Sequence, residues 1–435
     1  MPDHPLNIAL IGFGTVGTGV ARILAEQSEQ LSVRAGRELC LSRIVVRDVD
    51  KAREFVPAGV PVTNNIDDVI GDDSIDLAVQ LIGGTDAALS YAGRLLKSGK
   101  DLVTANKALI CAHGNELFDI AAKAGRTICF EAAVAGGIPV VNAITTALTG
   151  NRIETIEGIL NGTSNFILTQ MLSENQTYEQ ALRLAQQLGY AESDPTLDVD
   201  GTDAAQKLAI LTRLAFATDV PVDRMVCEGI DRLTLADLEA ADSLGYRIKL
   251  LAVSKINQDR LEVSVRPTLV PDDSTLAQTN GADNTVTLTG HAVGRLRLSG
   301  AGAGQMPTAS AVMADVIDYA CGRAVNTFQA VLRNRQQPSL TGLPQEEPAH
   351  RYYLRCTVDD RPHVLADVTD ILGRHEVSIS SMLQSEPSHP ETPDQSARLI
   401  IMTHRVKEGR MRAADAELDA LSCIQGRCLR LSVAG

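Results

Sequence analysis

Short apolar runs alternate with amphipathic segments over the first third of the chain. Apolar runs that end in glycine or polar residues are typical of buried parallel strands, and the segments between them repeat with the period of surface helices. The predicted strands are Leu6–Ile11, 42–46, 76–82, 100–104 and 126–130, and the predicted helices are 18–27, 91–98 and 114–124. Strands that alternate with helices predict a parallel sheet, so residues 1–145 are expected to form a first, α/β domain.

A different pattern follows residue 145. Predicted strands at 152–161, 246–257, 261–269 and 285–290 are interspersed with predicted helices at 165–173, 177–188 and 201–216. Elements that mix in this way predict an α+β domain, which we expect over residues 146–300 for substrate binding and dimerisation. One more predicted helix, at 308–322, is expected to return to the first domain.

The last part of the chain predicts a separate small domain. Residues 331–349 are polar and contain three prolines, which is typical of a linker. Beyond them the pattern predicts strands at 351–358, 377–384, 397–404 and 427–433 and helices at 362–374 and 407–421. This β-α-β-β-α-β order is that of a ferredoxin-like unit, expected over residues 350–435.

Composition and charge exclude several classes of function. The 435 residues carry a formal net charge of −14 and no Trp, so nucleic acid is not an expected partner. The eight cysteines show no CxxC pair or zinc spacing, which favours reduced thiols in a cytoplasmic protein. The start MPDHPLNIAL lacks the basic region of a signal peptide, and no apolar run approaches the roughly 18 residues of a membrane span. We therefore expect no membrane association.

The first predicted strand ends in a glycine-rich turn. Gly12, Phe13, Gly14, Thr15, Val16 and Gly17 match the pattern GxGxxG. Between a strand and a helix, this pattern is typical of dinucleotide binding. The first glycine permits the tight turn, the second lets the pyrophosphate approach the backbone, and the third lets the helix pack on the strand. A plain glycine turn is the alternative.

The end of the second predicted strand bears on the choice of cofactor. An acidic residue there would bind the ribose 2′-hydroxyl of NAD, whereas arginine would accept the 2′-phosphate of NADP. Arg47, with Lys51 and Arg53 nearby, favours NADP, and Asp48 keeps NAD open. A solvated charge cluster is a third interpretation.

Three further segments contain residues that could take part in binding or catalysis. Lys107 follows a predicted strand, at the edge of an α/β sheet where ligands bind. Glu131 is followed by small residues whose carbonyls could bind a hard cation, although a tight loop between domains explains the same pattern. The run Asn161–Asn165 could cap a helix, hold a polar substrate, or do both.

Acidic residues are concentrated at 189–207, a segment that ends in Lys207. Asp203 and Lys207 are four residues apart on a predicted helix and therefore share one face. The rest of that helix is strongly apolar, so it is expected to be buried. Because a buried carboxylate and ammonium need a partner or a function, this pair is a candidate site as well as a candidate structural ion pair.

The chain resembles the homoserine dehydrogenases in seven co-linear motifs. They are GFGTVG at 12–17, LIGGT at 81–85, TANKALI at 104–110, EAAVAGGIPV at 131–140, GILNGTSNFIL at 158–168, GYAESDPTLDVDGTDAAQKLAIL at 189–211 and GAGAGQMPTASAVMAD at 300–315. The resemblance implies interconversion of L-homoserine and L-aspartate 4-semialdehyde with NAD or NADP, in threonine, methionine and isoleucine biosynthesis.

The resemblance also implies roles for individual residues. Lys207 is similar to the general acid/base, Asp203 to its partner in orienting the substrate hydroxyl, and Lys107 to a residue near nicotinamide and substrate. Glu192 is similar to the carboxylate that holds the substrate ammonium. Cofactor contacts are implied for Phe13, Thr15, Val16, Gly189 and Gly304, and a sodium site for Glu131 with the carbonyls of Val134, Gly136 and Ile138.

Residues 350–435 resemble an ACT domain, a small-ligand regulatory module. In this family such a domain often mediates inhibition by threonine, and ACT units usually pair, so a homodimer or homotetramer is implied. His363 stands where the ACT pattern has a glycine. A glycine lets a ligand or a neighbouring chain approach closely, so the substitution leaves threonine binding an open question while the expected fold is unchanged.

Two other functions compete with this interpretation. Another NAD(P)-dependent enzyme of semialdehydes, such as aspartate-semialdehyde dehydrogenase, would need a thiolate nucleophile, for which Cys129 is the candidate. A non-enzymatic metabolite sensor built on the ACT domain is the second alternative.

Overall fold

The computed structural model describes residues 4–51, 53, 55–385 and 396–435. Residues 1–3, part of the segment in which no signal peptide is expected, lie outside the described residues. The chain divides into two compact units, one formed by residues 1–162, 203–224 and 282–340 and the other by residues 163–202, 225–281 and 341–435. No helix in the described part of the chain is long and apolar enough to cross a membrane.

The first unit contains a six-stranded sheet in which every strand pair is parallel. In spatial order the strands are Val62–Thr63, Leu39–Val45, Leu6–Ile11, Leu77–Gln80, Asp101–Thr104 and Ile128–Cys129. The helices that accompany them are Thr15–Glu26, Ser28–Ala35, Asp67–Ile70, Asp86–Lys97 and Lys107–Ala124. Since the chain runs outward from the first strand in both directions, this is the Rossmann-like arrangement that the alternating pattern predicts.

The helix Gln305–Ala320 packs against the helix Thr15–Glu26 in the first unit. A Cβ placed at Gly19 would lie 3.0 Å from Ala309, so the glycine permits the close approach of the two helices. Val312 and Val316 belong to the same buried cluster as the first strand. The late helix therefore completes the core of the dinucleotide-binding fold.

Three antiparallel strands and several helices complete the first unit. The strands are Gly294–Ala301, Asp283–Gly290 and Ile153–Ile159, in that spatial order. The remaining helical segments are Glu131–Ala133, Val140–Asn142, Ala143–Ala147, Thr202–Phe216, Val222–Arg224 and Arg323–Asn334. The first residue of Thr202–Phe216 is assigned to the second unit, and the rest of that helix belongs to the first. The helix Thr202–Phe216 is buried along most of its length, as its apolar sequence predicts.

The second unit contains a long antiparallel pair, Tyr246–Asn257 with Arg260–Pro271. Short strands Val226–Cys227 and Thr341–Gly342 pair with Arg260–Pro271. The helices of this part are Gly162–Ser173, Tyr178–Gln187, Thr196–Val199 and Leu235–Ser243. Thr177 and Gln180 form a reciprocal capping box that fixes the start of the second of these helices.

The C-terminal part of the second unit has the predicted ferredoxin-like order. Its strands, in spatial order, are Leu429–Val433, Ala349–Asp359, Ser396–Thr403 and Ile379–Ser385, all antiparallel. The helices are Val364–Arg374 and Glu408–Leu418, and the short strand Val406–Lys407 pairs with Ala349–Asp359. Leu429–Val433 also pairs, in parallel, with Arg260–Pro271, so this small domain and the long hairpin share a sheet.

His363 adopts a left-handed backbone conformation, with φ of 76°, immediately before the helix Val364–Arg374. A side chain in this conformation is strained, and glycine is the residue that accommodates it without cost. The glycine of the ACT pattern is therefore explained by backbone geometry as well as by the close approach that the sequence suggested.

Several elements are absent from the sequence prediction. The helices Ser28–Ala35 and Arg323–Asn334 and the strand Gly294–Ala301 were not predicted, and Arg323–Asn334 runs into the predicted linker 331–349. The latter helix buries Ala324, Phe328 and Val331, which have the spacing of one helix face. The three prolines that follow it favoured the prediction of a linker instead. The helix Lys107–Ala124 begins seven residues before its predicted start at 114.

Candidate functional site

The glycine-rich turn has the geometry that a dinucleotide needs. Gly12 has φ of 99°, and a Cβ at Gly17 would lie 2.5 Å from the Gly12 carbonyl oxygen, so neither position accepts a larger residue without movement. A Cβ placed at Gly14 would have no described atom within 4 Å, which leaves space for a ligand to reach the backbone. No side chain caps the helix that follows, so its first N–H groups are available to phosphates. The turn fits the pyrophosphate of a dinucleotide.

The remaining positions of the turn have distinct environments. Phe13 is buried in the core of the unit, whereas Thr15 is exposed and Val16 is half-buried at the start of the helix. Gly304, with φ of 112°, precedes the helix Gln305–Ala320, whose start likewise has no side-chain cap.

Arg47 lies just beyond the strand Leu39–Val45 and is exposed. Its guanidinium makes no hydrogen bond or ion pair with the other described residues. The neighbouring Asp48 carboxylate instead accepts the amide of Asp50 at 2.9 Å, and Arg53 donates to the Asp48 carbonyl. Of Arg47 and Asp48, which favour different cofactors, Arg47 is the one whose side chain has no partner among the described residues.

Lys107 is the first residue of its helix, and Asn106 caps that helix. The Asn106 side chain accepts the amide of Leu109 at 3.0 Å and donates to the carbonyls of Ile82 and Gly84 at 3.0 and 2.6 Å. One amide therefore ties the end of the strand Leu77–Gln80 to the helix that carries Lys107. The asparagine cap is the sequence signal that would have placed the helix start correctly.

Asp203 and Lys207 form a buried ion pair in the first unit. The Lys207 ammonium donates to Asp203 Oδ2 at 2.7 Å and to the carbonyl of Leu160 at 2.7 Å, and both side chains are largely buried. Asn161 Nδ2 donates to the same Asp203 oxygen at 2.9 Å, and the other oxygen lies 3.2 Å from Lys107 Nζ. The structure thus brings together the three candidate residues Lys107, Asp203 and Lys207.

The charges of this cluster keep Asp203 ionised. Burial by itself raises the pKa of the carboxyl, but the ammonium groups of Lys207 and Lys107 and the hydrogen bond from Asn161 outweigh it, so the pKa of Asp203 lies below its usual value. Two cations face one anion, and the cluster therefore favours a ligand atom that develops negative charge. Lys207 has three N–H donors and uses two of them here, which leaves one direction for a ligand.

Glu131 lies in a buried loop of the first unit. Its carboxylate accepts the amides of Val141 and Asn142 at 2.9 and 2.7 Å, and its own amide donates to Asp315 Oδ2 at 2.9 Å. Burial raises the pKa of Glu131 to about 7 despite these two amides, and burial together with the charge of Glu131 raises the pKa of Asp315. The loop therefore holds two buried carboxyl groups whose charged forms a bound cation would stabilise.

The carbonyls of the same loop suit a hard cation. Val134, Gly136 and Ile138 are in the first unit, and a Cβ at Gly136 would lie 2.7 Å from the Gly302 carbonyl oxygen, so the loop is held tightly. Among described residues, no N–H donates to the carbonyls of Val134 and Gly136, whereas that of Ile138 accepts the amide of Val140. Carbonyl and carboxylate oxygens together fit a cation such as sodium. The described residues contain no group of three or more His, Cys, Asp or Glu side chains suited to a metal ion.

Gly189 and Glu192 belong to the second unit. Gly189 follows the helix Tyr178–Gln187 with φ of 78°, and Glu192 is exposed. In the same unit Thr163 and Ser164 donate to the carbonyls of Tyr190 and Asp198, both at 2.7 Å, so the polar run after Asn161 orders the segment that carries Glu192.

Two contributors to the Lys207 cluster were not assigned to it from the sequence. The Leu160 carbonyl is a main-chain acceptor and has no side-chain signature. Asn161 was singled out within the run 161–165 as a cap or a substrate ligand, but its contact with Asp203 joins residues 42 apart in the chain. Asp315, an acid in a helix of small and apolar residues, was a detectable signal for the contact with Glu131.

Family models match most of the chain. The model described as "Homoserine dehydrogenase, NAD binding domain" matches residues 12–131, the one described as "Homoserine dehydrogenase" matches residues 139–317, and "ACT domain" matches residues 352–423.

Two similar proteins match this chain over almost its full length, and a third matches part of it. The chain is 42% identical to a homoserine dehydrogenase of Pseudomonas aeruginosa over 99% of both chains. The crystal structure of a homoserine dehydrogenase from Thiobacillus denitrificans superposes with a TM-score of 0.92 at 41% identity, covering 99% of this chain and 98% of that one. A hyperthermophilic archaeal homoserine dehydrogenase mutant in complex with NADPH matches 72% of this chain and 97% of its own, at 27% identity and a TM-score of 0.62.

Proposed function

Because the chain belongs to the homoserine dehydrogenase family, we propose that it interconverts L-homoserine and L-aspartate 4-semialdehyde with NADP as the preferred cofactor, in the biosynthesis of threonine, methionine and isoleucine. The observation that carries the proposal is the buried pair of Lys207 and Asp203, with the partly exposed Lys107 ammonium 3.2 Å from the same carboxylate. A carboxylate with one lysine amine within hydrogen-bonding distance of each of its oxygens suits proton transfer at an alcohol.

We propose that Lys207 is the general acid/base. Bound nicotinamide supplies the hydride acceptor for the oxidation of the alcohol carbon. A neutral Lys207 amine that donates its two N–H bonds to Leu160 and Asp203 directs its lone pair toward the third position, where it can accept the hydroxyl proton of homoserine. In the reverse direction the ammonium returns that proton to the aldehyde oxygen.

The other residues of the proposed site bind and orient. Asp203 orients the substrate hydroxyl and Lys207, and Lys107 adds positive charge near the oxygen that becomes partly anionic. Glu192 binds the substrate ammonium, so substrates without an amino group would leave a carboxylate unpaired and are disfavoured. The glycines at 12, 14, 17, 189 and 304, with Phe13, Thr15 and Val16, are the proposed contacts of the cofactor.

The preference for NADP rests on Arg47. Its guanidinium is exposed and unpaired among the described residues, whereas the Asp48 carboxylate is engaged by the Asp50 amide. A free guanidinium suits a 2′-phosphate. The archaeal relative that was solved with NADPH is consistent with this preference.

Arg47→Ser is expected to raise the KM for NADP+ about 10-fold and to leave the KM for NAD+ within about two-fold, because one charge-assisted contact to phosphate is removed. Steady-state kinetics with each cofactor measure the effect. Arg34→Ser, at an exposed arginine of the same unit, is the matched control and should change neither KM. An equal loss with both cofactors would contradict a phosphate-binding role.

We also propose a monovalent cation, sodium by resemblance, at the loop of Glu131, Val134, Gly136 and Ile138. The support is that the carbonyls of Val134 and Gly136 accept no hydrogen bond from the described residues, in the loop that begins with the buried Glu131. A cation there would hold the loop against residues 301–303, to which Gly137 donates a backbone hydrogen bond. Its role is to order the loop.

The domain division and the regulation are further proposals. We propose a nucleotide-binding domain at 1–145 joined by the helix 308–322, a substrate domain at 146–300, a linker at 331–349 and an ACT domain at 350–435. The ACT domain is proposed to bind a small amino-acid effector, for which threonine is the first compound to test, in a homodimer or homotetramer. Kinetics with and without threonine address the effector.

Cys129, the nucleophile required by the first rival function, has a raised pKa. Burial raises it most, and the carboxylates of Asp315, Asp318 and Asp101 raise it further. A thiol in this environment is a poor nucleophile near neutral pH, so the structure favours alcohol oxidation over thiol-dependent oxidation of a semialdehyde.

The proposed function is tested by mixing the protein with L-homoserine and NADP+ and following absorbance near 340 nm. We expect reduction of the cofactor that depends on both compounds. A protein that binds the cofactor without reducing it under these conditions would be the metabolite sensor, and one whose turnover is abolished by alkylation of Cys129 would favour the thiol-dependent rival.

A further inference from the structure

We propose that Cys356 and Cys428 are a modification site at which a low-molecular-weight disulfide, such as oxidised glutathione, forms an intramolecular disulfide bond. Both cysteines are in the second unit. Cys356 lies in the strand Ala349–Asp359, and Cys428 immediately precedes the strand Leu429–Val433. Both thiols are free in the structure.

The register of the two strands ends one residue short of these cysteines. The strands are antiparallel, and their last paired residues are Arg355 and Leu429, so Cys356 and Cys428 are the next positions on each side. Side chains at directly opposed positions point to the same face of the sheet. Both cysteines accordingly contact the same buried cluster beneath the two helices of this domain.

The pairing shifts just beyond these cysteines, where the Gln425 amide donates to the Thr357 carbonyl at 2.8 Å, so Cys356 is the last position before the shift. The Tyr352 amide donates to Thr403 on the neighbouring strand, away from Cys428. Amide directions repeat every second residue, so Cys356 also occupies a position that is not hydrogen-bonded to the strand of Cys428. Opposed residues at such positions have Cα atoms about 4.5 Å apart, within the range of about 4.4–6.8 Å that disulfides span.

The neighbouring Cys356 thiol, burial and the nearby carboxylates of Asp419 and Asp415 raise the pKa of Cys428. Cys428 is half-buried, whereas Cys356 is fully buried, so an oxidant reaches Cys428 first. Because the thiolate is the reactive form, the raised pKa of Cys428 makes the exchange slow near neutral pH, as it would for Cys129, and the reaction should accelerate as the pH rises.

Two exchange steps complete the reaction. The Cys428 thiolate attacks one sulfur of oxidised glutathione, which forms a mixed disulfide and releases one glutathione. Cys356 then loses its proton, attacks Cys428 Sγ and displaces the second glutathione. The protein loses two protons and two electrons, and oxidised glutathione gains them as two molecules of glutathione.

The bond would fasten the C-terminal strand within the sheet that it shares with the long hairpin. Leu429–Val433 pairs with both Ala349–Asp359 and Arg260–Pro271. Cross-linking its start to the first of these strands is therefore expected to raise the thermal unfolding midpoint of this domain, and a reductant should reverse the change.

Peptide mapping of the full-length protein tests the proposal. The protein is incubated with oxidised glutathione at about pH 8.5, its remaining thiols are alkylated, and it is digested with trypsin without reductant. The sequence separates the three cysteines of the domain into peptides 356–374, 413–427 and 428–430, since the Arg361–Pro362 bond resists cleavage. We expect the mass of 356–374 linked to 428–430, and its disappearance after treatment with dithiothreitol.

Two variants sharpen the result. Cys428→Ser, at a half-buried position that accepts a hydroxyl, should fold, keep its enzymatic activity and lose the linked mass. Cys423→Ser, the matched control in the same core, should retain it. Links through peptide 413–427 in place of the expected one, or alkylation of both Cys356 and Cys428 after exhaustive oxidation, would overturn the proposal.

Discussion

Lys207→Met is expected to lower kcat by about 10³-fold or more while the cofactor still binds, because general acid/base catalysis contributes roughly 10²–10⁴-fold. Methionine approximates the length of the side chain and cannot carry a proton. The remaining cluster stays paired, since Asp203 keeps its contacts with Lys107 and Asn161, so the variant should fold. Stopped assays of homoserine oxidation and a fluorescence titration with NADPH measure the two quantities.

Two further variants distinguish proton transfer by Lys207 from an effect of its positive charge. Lys207→Arg keeps the positive charge but cannot act as a base near neutral pH, so it should be as inactive as the methionine variant. Lys123→Met, at an exposed lysine of the same unit, should behave as the unaltered protein. An arginine variant with substantial activity would mean that Lys207 acts through its charge, and the acid/base assignment would be wrong.

The periodic parts of the fold could be predicted from the sequence. The strand Leu6–Ile11 and the strand Tyr246–Asn257 have the predicted bounds, because each is a continuous apolar or alternating run with a clear end. The strand Gly294–Ala301 was missed since most of its residues are exposed and carry no apolar run. The helix at Lys107 was predicted too short because its start is set by the Asn106 cap, and the periodic part of the helix lies further on.

The candidate site could also be predicted from the sequence only in part. The four-residue spacing of Asp203 and Lys207 on an apolar helix predicts a buried pair, and the structure contains it. The Leu160 carbonyl and the contact of Asp203 with Lys107 depend on segments that are distant in the chain, and one sequence contains no signal for such contacts. The roles of Glu192 and Gly189 rest on resemblance, and they remain proposals.

The Glu408 carboxylate connects the ACT part of the second unit to the long hairpin. It is almost fully buried and accepts from Arg266, on the strand Arg260–Pro271, at 3.0 Å and from the Tyr352 hydroxyl at 2.6 Å. Arg412 and Arg430 lie 3.0 and 2.7 Å from its other oxygen. Burial alone would raise the pKa of Glu408, but Arg430 and Arg266 lower it to about 2. A carboxylate held in this way stabilises the fold in its charged form.

Glu408→Gln is therefore expected to destabilise the ACT part by about 3 kcal/mol, because it leaves buried arginines without their counter-charge. In the unaltered protein the folded-state pKa lies below the unfolded value, so this stabilisation is present above about pH 4.5 and is lost as the pH falls toward 2. The variant should lack that acid-dependent loss.

Hydrogen exchange of the strands Ala349–Asp359 and Leu429–Val433, measured at neutral pH, should be about 100-fold faster in the variant. Glu347→Gln, which removes an exposed partner of Arg260, is the matched control and should change exchange by less than about three-fold. Unchanged protection in Glu408→Gln would show that hydrophobic packing, and not this charge network, holds the ACT part to the hairpin.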